Sequence, residues 1–146
     1  MITTEEIAVV AHNLLTESET IQDLLKGGYV DYERTDYTKV GIIVIPHTIE
    51  GEASVRFGQV NVNIHVPDLI AKKDTKNPVY RTNFPRLIEL KKAVVEVLKS
   101  YYSNDGWNWI VGLQNPPIKE PGKNEHFVSI ALEVIVRENN NYSNNN

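Results

Sequence analysis

The stretch VRFGQVNVNIHVP, residues 55–67, decides the architecture. Val60, Val62, Ile64 and Val66 point one way and Asn61, Asn63 and His65 the other, the period of two that marks a strand with one face buried. Ala53, Val55 and Phe57 alternate on the opposite parity, so the phase slips at Gly58, the kind of position a β-bulge uses. Immediately upstream, Lys39–Pro46 carries Val40, Ile42, Ile43, Val44 and Ile45 and reads as a strand buried on both faces. His47 to Ala53, with Gly51, reads as the turn between them. The pair forms a long, bent hairpin, and hairpin-linked strands predict an antiparallel sheet.

Working outward, Thr3 and Glu6 form a capping box ahead of Ile7, Val10, Ala11, Leu14 and Leu15, which repeat at helical spacing. Ser18 caps a short further turn carrying Ile21, Leu24 and Leu25, and Gly27-Gly28 provide a left-handed stop. Tyr29-Val30-Asp31-Tyr32 reads as a short edge strand. Pro67 opens an irregular stretch to Asn83, longer than connections in compact domains usually are. Pro85 then sits in the first turn of a long helix with Leu87, Leu90, Val94, Val97, Leu98 and Tyr101 on one face. Trp107–Leu113 is a strand, Pro116-Pro117 an extended connector, and Pro121-Gly122 a turn. His126, Val128, Ile130, Leu132, Val134 and Val136 define the closing strand. No internal repeat is visible. The expected fold is α+β: a two-layer, mostly antiparallel sheet with a long projecting β-hairpin and two main helices packed on one face. Residues 1–138 read as one domain and the Asn-rich 139–146 as a disordered tail.

Composition narrows the chemistry. With 146 residues, 41% of them hydrophobic, the chain can bury a core without crosslinks. Zero cysteines exclude disulfides, Cys-ligated zinc, iron–sulfur clusters and thiol catalysis. A net charge of -4 argues against a surface that grips a phosphate backbone. Acids near the start and the lack of a long apolar run argue against a signal peptide or a membrane span. None of His12, His47, His65 and His126 has a second ligand at metal-site spacing on its own element; His65 and Asp68 come closest, with Pro67 between them. No serine lies in a nucleophile motif. The carboxylates Glu50 and Glu52, and Asp31, Glu33 and Asp36, read as solvated. The expectation is no catalytic residue, no cofactor and no metal.

The remaining signals are those of an interface. Tyr, Trp and Arg are enriched in binding hot spots, and Tyr29, Tyr32, Tyr37, Tyr80, Tyr101, Tyr102, Trp107 and Trp109 gather near element ends and in the long loop. Core filling accounts at least equally well for one of the tryptophans. The polar row Asn61, Asn63 and His65 lies on a strand able to meet another chain. Lys72, Lys73, Lys76 and Arg81 concentrate positive charge in one segment. The candidate contact residues are therefore Arg56, Gln59, Asn61, Asn63 and His65 in the hairpin and Lys72, Lys73 and Arg81 in the loop.

The layout carries a resemblance. The N-terminal amphipathic helix, the Gly-Gly-Tyr break, VGIIVIP, a hairpin ending VNVNIHVPD, the helix FPRLIELKKAVVEVLKSYY and the strand HFVSIALEVIVRE together resemble bacteriophage tail-terminator and tail-completion (head–tail joining) proteins, over Thr3 to Arg137. That resemblance implies a structural virion protein, assembled in the host bacterial cytoplasm. It would form a homo-oligomeric ring, typically a hexamer, at the head-proximal end of the tail tube and contact tube and head-connector proteins. DNA would meet it only by passage through the ring. The basic loop 67–83 departs from the expected pattern, and neck and joining proteins fit the same layout. The competing reading is a small soluble enzyme or ligand-binding domain with a pocket between the sheet and the long helix.

Overall fold

The computed structural model describes residues 2–52, 54–72 and 76–137. These form α1 (Thr4–Glu17), α2 (Glu19–Leu25), β1 (Tyr29–Asp31), β2 (Gly41–Glu52), β3 (Val55–Pro67), β4 (Leu69–Lys72), β5 (Val79–Arg81), α3 (Phe84–Lys99), β6 (Trp107–Gln114), β7 (Ile118–Lys119) and β8 (Glu125–Arg137). The class is α+β, as the alternation predicts.

Local chemistry sets the helix boundaries. Thr3 and Glu6 exchange side-chain-to-backbone hydrogen bonds, satisfying amides that open the first turn. Ser18 Oγ accepts from Ile21 N at 3.3 Å and starts α2. The left-handed exit falls one residue earlier than the glycine pair suggests, at Lys26 (φ 49°) and Gly27 (φ 91°). Gly28 answers a different need: a Cβ there would stand 2.4 Å from the Val40 carbonyl oxygen. Asn83 Oδ1 accepts from Arg86 N at 3.2 Å and caps α3, with Pro85 in its first turn.

The main sheet runs β1-β2-β3-β8-β6, with β7 also on β8. All its pairings are antiparallel except β1 with β2, which is parallel. β1 can lie parallel to the strand that follows because residues 32–40 make the return, laying Arg34 beside Tyr29 and Gly41 on the face away from the helices. On the helix face, Val60, Val62, Ile64, Val128, Ile130, Leu132, Val134 and Val136 meet Ile7, Ala11 and Leu15 of α1 and Leu87, Leu90, Val94 and Leu98 of α3 in one core. Both tryptophans belong to it, and Trp109 Nε1 donates to Leu98 O at 2.9 Å. The space between α3 and the sheet is thus filled by side chains that are almost completely buried.

Several expectations are corrected. β3 keeps one uninterrupted register against β8, from Val55↔Arg137 to Pro67↔Glu125, so no bulge occurs at Gly58. The irregularity lies across from it, in β2 between Pro46 and Ile49. Val55 and Phe57 share the parity of Asn61 and Asn63 and are exposed on the open face. Gly58 is required by close approach, since a Cβ would come within 2.7 Å of Ile49 Cγ1. His47 to Glu52 continue β2, because Ile49 to Glu52 pair with β3. The long hairpin lies within the sheet, flanked by β8 over the whole of β3. What stands apart is the segment read as an irregular loop: β4 and β5 pair into a separate two-stranded ribbon, Leu69↔Arg81 and Ile70↔Tyr80. The Asn-rich tail lies outside the described residues.

Candidate functional site

Two surfaces carry most of the candidate residues, the open sheet face and the ribbon. At one end of the open face, Gly41, His65 and Phe127 stand side by side on adjacent strands, with Tyr29 next to Gly41 and Glu125 two residues before Phe127. The His65 and Phe127 rings stack at 4.8 Å. His65 Nδ1 lies 2.9 Å from Glu125 Oε2, and Arg34 donates through Nη2 to Oε1 and through Nε to Oε2. Arg34 Nη1 also donates to Tyr29 OH at 2.9 Å, and that oxygen accepts from the Thr35 and Asp36 amides. The Arg34 guanidinium further lies 5.2 Å from the centre of the Tyr37 ring.

Glu125 is completely buried. Burial alone would push its carboxyl up; the hydrogen bonds from His65 and Arg34, together with the Arg34 charge, outweigh burial and hold it below its ordinary value. Tyr29 follows the same pattern: burial raises its phenol, and the amide donors and Arg34 bring it below the usual tyrosine range. Among the described residues, His65, Glu120 and Glu125 also bring ligand atoms within 4.8 Å of one another. Both Glu125 oxygens already accept from Arg34 or His65, so a cation there would compete with a fixed guanidinium.

Further along the same face runs a polar row. Gln59 Nε2 donates to Asn61 Oδ1 at 2.6 Å, and Asn61 Nδ2 donates to Ser129 Oγ at 3.1 Å. Gln59 is exposed and Asn61 and Asn63 are half-buried, whereas His65, read as solvated or at an interface, is buried under its neighbours. Arg56 has the opposite parity, on the helix side, where it lines a cleft with the start of α1 and Pro46 to Ile49. Beyond the polar row the face becomes apolar and acidic. Phe57 (58% exposed) pairs with Ile135 and with Glu50, and Ile110 (57% exposed) pairs with Glu133.

The ribbon is the second surface. Every residue of β4 and β5 is exposed, including Leu69, Ile70, Val79 and Tyr80. Lys72 and Arg81 sit on these strands, so the structure brings these two candidates together; Lys73 lies outside the described residues. The base is anchored. His126 Nδ1 lies 2.7 Å from Asp68 Oδ1, its Nε2 lies 3.2 Å from Thr82 Oγ1, and Asp68 N donates to Asn124 O. The candidates therefore divide among three places: the open face, the helix-side cleft and the ribbon. Reading the sequence missed Arg34, Glu125 and the His126–Asp68 clip. The signal available for Glu125 was an acidic residue on the parity of Phe127 and Ser129, opposite the core positions of the closing strand.

No family model and no curated protein sequence matches the chain. No helix among the described residues is long and apolar enough to cross a membrane.

Proposed function

We propose that this protein is a ring-forming structural component of a phage virion, a tail terminator or completion protein that joins the tail tube to the head and works by binding geometry. The observation that carries the assembly part is the ribbon. It is a two-stranded element with four exposed apolar side chains, held at its base and, among the described residues, paired with no strand of the main sheet. A lone two-stranded ribbon is marginal in water and gains stability when a second surface covers it. The phage assignment rests on the resemblance in layout from Thr3 to Arg137. The net charge of -4 suits a channel through which DNA slides without adhering. Light scattering and native mass spectrometry across concentration, with electron microscopy of the largest species, test the reading. Closed rings, or a collar on the end of purified tail tubes, support it. A chain that stays monomeric both alone and in the presence of tubes overturns it.

A further inference from the structure

Charge is partitioned unevenly between the ribbon and the rest of the chain. Residues 69–81 hold four of the fifteen Lys and Arg and one of the nineteen Asp and Glu, leaving eleven basic against eighteen acidic residues elsewhere. The ribbon is thus a basic, apolar arm on an acidic body. The far half of the open sheet face has the complementary character. Phe57 and Ile110 present exposed apolar surface, Ile135 lies between their strands, and the exposed carboxylates Glu50 and Glu133 flank them. Arg137 at the end of β8 is the basic residue on that parity.

From this complementarity we propose that the β4–β5 ribbon of one copy docks on the Phe57–Ile135–Ile110 patch of a second copy of this chain, with Lys72 and Arg81 meeting Glu133 and Glu50. The inference deepens the assembly reading and rests on it. Arm and patch are different surfaces of the same chain, so the contact is head-to-tail: each copy offers one arm and one patch, and repetition produces a closed ring or an open helix. Leu69 and Val79, exposed on the ribbon face that carries Lys72 and Arg81, supply the anchors, which cover apolar area on the patch, while the ion pairs fix the register and suppress arm-to-arm encounter through like-charge repulsion.

The absence of cysteine makes a direct test simple. Full-length Val79→Cys and Phe57→Cys chains, mixed and oxidised, should form a disulfide-linked heterodimer, and one chain carrying both substitutions should form a ladder. V79C alone should not crosslink. Glu133→Lys should lower crosslinking roughly tenfold or more, and combining it with Lys72→Glu and Arg81→Glu in the arm should restore it. Electron microscopy of the same samples separates the two claims. Rings without the 79–57 crosslink, or with 79–79 crosslinks, overturn the docking while leaving the ring reading standing. The crosslink in open filaments supports the docking and overturns the terminator reading. Monomers with no crosslink at any concentration overturn both.

Discussion

The Glu125 carboxylate lies 2.9 Å from His65 Nδ1 through one oxygen and pairs with the Arg34 guanidinium through both, at a position with no exposed surface. This joins the return after β1 to the two central strands. Removing one partner of such a pair leaves the other buried without compensation. Glu125→Ala should therefore cost about 3–5 kcal/mol in urea unfolding. An apolar replacement of both Arg34 and Glu125 should recover much of that loss, because it removes both charges together. A single-mutant loss below about 1 kcal/mol would show that the pair is well solvated.

The same carboxyl sets a pH dependence. Its folded-state value lies below its ordinary value of 4.5, so the stabilisation it brings is fully present above that pH and is lost as pH falls through the lower, folded-state value. Glu125→Gln cannot titrate. The stability gap between the natural chain and E125Q should shrink as pH falls below 4.5, as read by unfolding curves at a series of acidic pH values.

Gly28 is a packing requirement rather than a flexible joint. Gly28→Ala should destabilise by about 1–3 kcal/mol, because a Cβ would meet the rigid Val40 carbonyl. Gly122→Ala has open space around the new methyl and carries only the left-handed penalty of about 1–2 kcal/mol. Thermal unfolding of both variants should place G28A below G122A.

His126→Ala removes the clip on Asp68 and Thr82. We expect a stability loss of about 1–3 kcal/mol. Hydrogen exchange should accelerate at residues 69–72 and 79–81 well before it does in β3 and β8. Equal acceleration everywhere would mean that the clip supports the whole fold rather than the ribbon.

Leu69→Ser and Val79→Ser touch exposed side chains, so unfolding free energy should stay within about 0.5 kcal/mol of the natural chain. The proposed docking further predicts that self-association measured by sedimentation weakens in these variants, and that raising salt weakens it further through screening of Lys72 and Arg81.

The core face of the sheet was legible because burial on one side imposes alternation: Val60, Val62, Ile64 and Val66 are all buried, as are Val128, Ile130, Leu132, Val134 and Val136. Thr3 and Ser18 were legible because capping is local. The ribbon was hidden because its strands have no buried face, so no apolar period is imposed on LIAK or VYR, and Pro67 read as the opening of an irregular stretch. Val55 and Phe57 suggested a phase slip because apolar residues are the usual sign of the core, and here they mark the open face. The Arg34–Glu125 pair joins positions 91 residues apart, and no local pattern announces such a partner. Parallel pairing of β1 was equally unreadable, since it depends on where residues 32–40 lead the chain.

The placement of β8 governs when the molecule can come into being. Among the described residues it is the last strand in chain order, yet it sits between β3 and β6 and pairs with both. During synthesis β3 waits with an unsatisfied edge while some sixty residues emerge after it, and only arrival of residues 125–137 closes the layer. A chain interrupted before that point lacks the strand that joins β3 to β6.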